Sequence, residues 1–199
     1  GDMVNFWKKI FAHYSTSDVV FHDKKNLALV YGTLRLDGEW RATRRQRDAI
    51  RAYKRRISSI LISLSKGDSI SSQDRHIADR IRGQYKGQPA GALRRASYLV
   101  RAQPGLRERF REGIIRSGRY LPRFKSIFRS YGLPAELVLL PHVESSFSNA
   151  VVSSAGASGV WQFTRSTGRL FMSLNSAVDG RRDPFLSADA AARLLKRNY

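Results

Sequence analysis

The sequence predicts a mainly α protein, and three observations carry that expectation. Apolar residues recur every three or four positions over long stretches, most clearly Ile50, Tyr53, Ile57, Ile60 and Leu64 within Thr43–Ser65. A second such stripe, Leu121, Phe124 and Phe128, ends at Gly132, where Gly-Leu-Pro reads as a helix stop followed by a restart. Period-two alternation is confined to one short stretch, Leu27, Leu29, Tyr31 and Thr33.

Taken in order, Val4, Trp7, Phe11 and Tyr14 form the apolar stripe of a short first helix. "VVF" and "LALVYGTLRL" are rich in β-branched and apolar residues and read as a hairpin, although short apolar runs do not by themselves separate strand from helix. After the long helix over 43–65, Ser72 serves as N-cap for a helix carrying Ile77, Ile81 and Tyr85. A further helix runs from Gly91 to Arg101 and stops before Pro104. Leu106, Phe110 and Ile114 follow at spacings of four, and Gly118 separates them from the 121–128 stripe. The next helix spans about Pro134 to Phe147, with Glu144 near its C-terminal end. Pro141 lacks an amide to donate to the carbonyl four residues back, so a kink is expected there. Ser153 to Gly159 is then a loop of small residues, whose Gly156 and Gly159 suit tight turns or close backbone approach. No internal repeat or low-complexity segment interrupts this pattern.

The chain has 199 residues, 42% hydrophobic, enough for one or two domains with real cores. With no cysteine, disulfide staples and thiolate metal sites are excluded. No apolar run approaches a membrane span and no signal peptide remains; Gly1-Asp2-Met3 reads as a processed or appended start. The net charge is +20 and unevenly placed: residues 131–199 hold 7 basic and 5 acidic residues, whereas residues 1–130 hold 29 and 11. An excess of +18 in the N-terminal portion favours anionic partners such as nucleic acid, a membrane surface or an acidic polymer, against the plainer reading of solvated helix faces.

Several chemistries fail on the residues. The four histidines, His13, His22, His76 and His142, show no metal-ligand spacing. His142 and Glu144 are two apart on a helix and face different ways. In "GASGV" the second Gly falls one residue too early for a nucleophile elbow, and there is no phosphate loop or dinucleotide fingerprint. What remains is Glu144, after which no Asp or Glu occurs until Asp179. A carboxyl at the end of an apolar helix, facing a loop of small residues, is expected to be partly desolvated and held protonated, which suits proton donation to a glycosidic oxygen. Ordinary glycosidases pair that donor with a second carboxylate; the local sequence favours a mechanism with one. Against this stands a helix-end glutamate with no chemical role.

The stretch "GLPAELVLLPHVESSFSNAVVSSAGASGVWQF" resembles the lytic transglycosylases of the soluble-type, goose-lysozyme-like superfamily. The similarity begins near "RAQPGLRERFREGIIRSGRYLPRFKSIFRSYGLP" and continues through "QFTRSTGRLF" and "VDGRRDPFLSADAAARLLKRNY", about half of the chain. Glu-Ser-Ser-Phe, Gly-Ala-Ser-Gly and Trp-Gln-Phe stand at fixed spacing, which makes the signal specific. Ser148-Asn149-Ala150-Val151 departs from the commoner Asn-Pro-x-Ala of the family.

Charge and periodicity give a basic, mainly helical region over 1–103, and the resemblance implies a partial lysozyme-like lytic transglycosylase domain over 104–199. The family continues past the equivalent of Asn198-Tyr199 into a segment that supplies the other wall of the cleft, so the apolar face of "AAARLL" is expected to be exposed and this form to have little activity. Glu144 matches the single acid/base. Ser153 matches the serine that orients its carboxyl, Gln162 the glutamine that contacts the sugar, and Ser145 and Gly159 are placed with them on the substrate side. Phe147, Trp161 and Phe163 are expected to pack around the cleft. The implied substrate is the bond between N-acetylmuramic acid and N-acetylglucosamine in peptidoglycan, cleaved with no metal or cofactor in the periplasm or cell envelope. The basic N-terminal region would meet anionic cell-wall polymers rather than a specific nucleic acid. Two other classes stay open: a catalytically incomplete wall-binding module, and a nucleic-acid-binding protein suggested by charge alone.

Overall fold

The computed structural model describes residues Gly1–Asn198; Tyr199, where the expected C-terminal region ends, lies outside them. Helix accounts for 54% of the described residues and strand for 11%, a mainly α fold. It divides into two compact units, Gly1–Glu108 and Arg109 onward.

The first unit runs α1 (Asp2–Ala12), β1 (Asp18–Asp23), β2 (Val30–Arg35), α2 (Arg44–Lys66), α3 (Arg75–Gln84), α4 (Ala90–Ala96) and β3 (Val100–Pro104). The strands form an antiparallel sheet in the order β2-β1-β3, with Val20 opposite Thr33 on one side and Gln103 on the other. Successive strand residues point to opposite faces. Val19 and Phe21 therefore join the main core with Ile57, Leu61, Ile77 and Ile81, while Val20 packs with Phe6 and Ile10 of α1. Helix α2 starts at a capping box, in which Thr43 Oγ1 accepts from the Gln46 amide at 3.2 Å and the Gln46 side chain accepts from the Thr43 amide. It ends at Gly67 in the left-handed conformation.

Three expectations fail in this unit. In α1 the buried residues are Phe6 and Ile10, while Val4 and Trp7 stay on the exposed side. Both sets fit helical spacing, and the contact with Val20 decides between them. Ser72 does not cap α3; it opens a 3₁₀ turn, Ser72–Asp74, from which α3 continues. The helix expected over Gly91–Arg101 ends at Ala96, because Val100–Pro104 pairs with the second edge of β1. Strand pairing outweighs local helical pattern there.

The boundary between the units falls in the first turn of α5 (Arg107–Ser117). The second unit continues with α6 (Leu121–Ser130), a 3₁₀ turn at Ala135–Leu139, α7 (Pro141–Glu144), α8 (Arg165–Arg169), a 3₁₀ turn at Gly180–Arg182, and α9 (Pro184–Asn198). Its core is aromatic against small. Phe124 and Phe128 of α6 are fully buried with Phe147, Val160 and Trp161, and α9 supplies Ala188, Ala191 and Ala192. The Phe128 and Trp161 rings stack at 5.1 Å. The alanines of "AAARLL", expected on an exposed face, are thus buried, since side chains this short let α9 pack closely on α6. In α5 the buried residues are Gly113 and Ser117, and Ile114 of the expected stripe is exposed. A Cβ on Gly113 would lie 3.0 Å from the Ser146 carbonyl, so this face is kept bare by close backbone approach. The single kinked helix expected over 134–147 is two short pieces, because Pro141 has no amide to carry the hydrogen-bond ladder across the join.

A buried arginine ties the loops of this unit together. Arg181 is 4% exposed. Its Nη1 donates to the carbonyls of Gly156 (2.8 Å) and Phe163 (3.1 Å), while Nε and Nη2 form a fork onto Asp179 at 2.9 and 2.7 Å. The fork holds the Asp179 carboxyl down at about 2 and raises the Arg181 guanidinium above its ordinary value. A group whose pKa is depressed by folding contributes stability above its unfolded value, near 4, and loses it as pH falls toward 2. We expect about 2 kcal/mol of the second unit's stability to disappear across that interval, and Asp179→Asn to flatten it while lowering stability at neutral pH. Urea unfolding followed through the Trp161 indole resonance at several pH values measures this; identical profiles for both proteins would contradict it.

Candidate active site

The chain reverses immediately after Glu144. Ser146 and Phe147 both take positive φ (51° and 55°), a strained conformation for residues with side chains. The turn is held by the Phe147 ring, which is fully buried against Phe124 at 6.1 Å and Tyr120 at 6.3 Å. It is also held by Ser145, whose buried hydroxyl donates to the Val160 carbonyl at 2.7 Å. Glu144 is thereby fastened beside the Trp161-Gln162-Phe163 segment.

That segment is shaped by the small-residue loop. Gly159 has φ +80°, and a Cβ there would lie 1.8 Å from the Arg181 carbonyl, so only glycine fits. Ser153 accepts from the Ala157 amide at 3.0 Å and closes the loop on itself. Gln162 also has positive φ (49°) and donates through its side-chain amide to the carbonyls of Gly159 (2.8 Å) and Val151 (3.1 Å). Its side-chain oxygen has no donor among the described residues. Thr164 caps α8 by accepting from the Thr167 amide.

These elements enclose a cleft of about 220 Å³ lined by Leu140, Glu144, Trp161, Gln162, Phe163, Thr164 and Thr167, with Ala191, Leu194 and Leu195 from α9. Glu144 is its one acid, and no ion pair or hydrogen bond engages the carboxylate among the described residues. A larger hollow of about 630 Å³ lies around Leu36 and Gln46, but each of its acids stands beside an arginine: Asp37 lies 3.5 Å from Arg45 and Glu39 4.0 Å from Arg41. His142 is no partner for Glu144. Its ring packs between Phe110 (5.3 Å) and Phe147 (4.6 Å), burial lowers its pKa, and its Nδ1 has no hydrogen-bond partner.

The structure thus brings Glu144 and Gln162 to one cleft and leaves Ser145, Ser153 and Gly159 outside its lining, each engaged in backbone geometry. Ser153 makes no hydrogen bond to Glu144 among the described residues. The expected desolvation of Glu144 is also absent: the residue is exposed, at the end of a four-residue helix beside exposed Leu140 and Val143. Sequence reading assigned no role to Arg181 and Asp179. Their signal was the first acid after Glu144, standing two residues before an arginine. No group of three or more potential metal ligands occurs among the described residues.

Comparison with known proteins finds similarity over the stretch that carries this site. Residues 124–199 match the Transglycosylase SLT domain. Two proteins named membrane-bound lytic murein transglycosylase D, from Escherichia coli strain K12 and from Escherichia coli O6:H1, are each 35% identical over 124 residues. The alignment takes in 60% of this chain and 23% of each relative, so the chain spans under a quarter of the length of the relatives it matches. The segment that carries Glu144, the glycine loop and the Arg181 anchor lies within the stretch that matches the Transglycosylase SLT domain.

Proposed function

We propose that the chain cleaves the bond between N-acetylmuramic acid and N-acetylglucosamine in peptidoglycan as a lytic transglycosylase, at the cell envelope and on its periplasmic side. The observation that carries this reading is that Glu144 is the one acid lining a cleft within the stretch that matches the SLT domain. Glu144 in its acid form protonates the leaving glycosidic oxygen. As carboxylate it then takes the proton of the muramoyl C6 hydroxyl while that oxygen bonds to C1, closing an anhydro ring without water. The second nucleophile belongs to the substrate, so the cleft needs no second carboxylate. Gln162 presents its side-chain carbonyl to the sugar, and Trp161 and Leu195 form apolar walls. Ser145, Ser153 and Gly159 act by holding the backbone that places these groups. Glycan in the cleft supplies the desolvation that Glu144 lacks without it.

The exposure of Glu144 favours one alternative, a module that holds wall glycan without cleaving it. No helix among the described residues is long and apolar enough to cross a membrane. The excess positive charge of residues 1–130 draws the chain to anionic wall polymers without base-specific recognition of nucleic acid.

Two measurements test this. Digestion of purified peptidoglycan by a chain extended to the length of its relatives, with products identified by mass spectrometry, should yield anhydro-muropeptides. Glu144→Gln should lower that yield by about 10⁴-fold or more, since one group serves both proton transfers. Near-wild-type turnover by the variant would remove Glu144 from the chemistry, and binding without anhydro products from the wild type would establish the glycan-holding module. In the second, retention on sacculi should fall steeply between about 50 and 200 mM salt, as expected for screened attraction. Affinity that stays flat across that range would show the charge to be irrelevant.

A further inference from the structure

A hollow of about 440 Å³ lies between α2 and α4 in the first unit, walled by Ile62, Lys66, Gly91, Arg94 and Tyr98. No acid lines it, and neither Lys66 nor Arg94 has an ion-pair partner among the described residues. Gly91 keeps one side low: a Cβ there would meet only Arg95 Nη1 at 3.5 Å.

Tyr98 is 77% exposed, the most exposed of the large hydrophobic and aromatic residues among the described residues. Its backbone is nevertheless pinned on both sides. The Ser97 carbonyl accepts from Ser58 Oγ at 2.8 Å, the Leu99 carbonyl from the Lys24 amide at 2.8 Å, and the Leu99 amide donates to Ala96 at 2.8 Å. Ala96, Ser97 and Val100 around it are buried. A ring projected into water from a fixed backbone gains nothing for folding but offers a flat, preorganised contact surface with only two side-chain torsions to immobilise.

We propose that this hollow is a second glycan-binding site, which takes a sugar ring of peptide-substituted wall glycan against Tyr98 and its carboxylates at Lys66 and Arg94. The assignment rests on the peptidoglycan reading above. The aromatic face meets the apolar C–H face of a pyranose, and the two cations meet the acids that the peptide substituents carry. A glycan held here leaves the Glu144 chemistry untouched, so the site contributes retention rather than turnover.

The test is co-sedimentation of the full chain with intact sacculi and with glycan strands stripped of peptide by an amidase. Tyr98→Ala should weaken retention about tenfold on both, at low and at moderate salt, as expected for loss of an aromatic anchor. Tyr98→Phe should restore it. Lys66→Ala with Arg94→Ala should weaken retention on intact sacculi at low salt, with the loss disappearing at high salt. Circular dichroism melts verify that these exposed substitutions leave the fold intact. Wild-type retention by Tyr98→Ala on both materials would overturn the proposal, as would dependence on Tyr98 for a single-stranded oligonucleotide but not for sacculi. Anhydro-product formation, read separately with Glu144→Gln, reports on the proposed reaction, so failure here and failure there are distinguishable.

Discussion

Arg181 carries its charge with almost no access to water, and a buried guanidinium without partners would cost several kcal/mol. Its solution is to satisfy three oxygen clusters at once: the Asp179 carboxylate, the Gly156 carbonyl and the Phe163 carbonyl. Those contacts fix the two ends of the loop that leads into Trp161-Gln162-Phe163. Its own carbonyl lies so close to Gly159 that no side chain fits there. The shape of the cleft wall opposite Glu144 therefore follows from how one cation is neutralised. A lysine would keep the charge and lose the fork, because only the planar guanidinium engages a carboxylate and two carbonyls together.

The Glu144 side depends on a different force. Two consecutive left-handed residues, Ser146 and Phe147, are unfavourable in isolation. They persist because the Phe147 ring is fully buried among Phe124, Tyr120 and His142, and burial of an aromatic side chain offsets strain of this size. Ser145 links the halves by donating to Val160. An aromatic core thus fixes the acid and a buried arginine with its partners fixes the surroundings, while the acid itself is left open to ligand.

The parts of the fold readable from sequence were those with strong local periodicity. The stripes on α2 and α6 face the cores as the spacing requires, with Ile57, Ile60, Phe124 and Phe128 buried, and the hairpin of β1 and β2 forms where β-branched residues cluster. Failures came where a distant partner decides. Val100–Pro104 is a strand because β1 offers an edge, and α1 buries Phe6 and Ile10 because Val20 faces it. At the site, the acid and its lack of a second carboxylate were visible, and so was the need for glycine at 156 and 159. Hidden from sequence were the exposure of Glu144, which depends on what stands opposite a four-residue helix, and the loop-closing role of Ser153. Arg181 was hidden because one arginine among so many in a basic chain shows no sign of burial until the loops fold over it.

The central claim is that Arg181 holds the loop that completes the Glu144 cleft. Amide hydrogen exchange in Arg181→Gln tests it most directly. The Ser158 and Gln162 amides, bonded to the Phe163 and Gly159 carbonyls, lie in that loop; helical amides of α6 and α9 serve as internal reference. The account predicts that the variant exchanges the loop amides at least about tenfold faster while the reference amides keep their protection. Unchanged protection at Ser158 and Gln162, in a variant whose helices are intact, would contradict it.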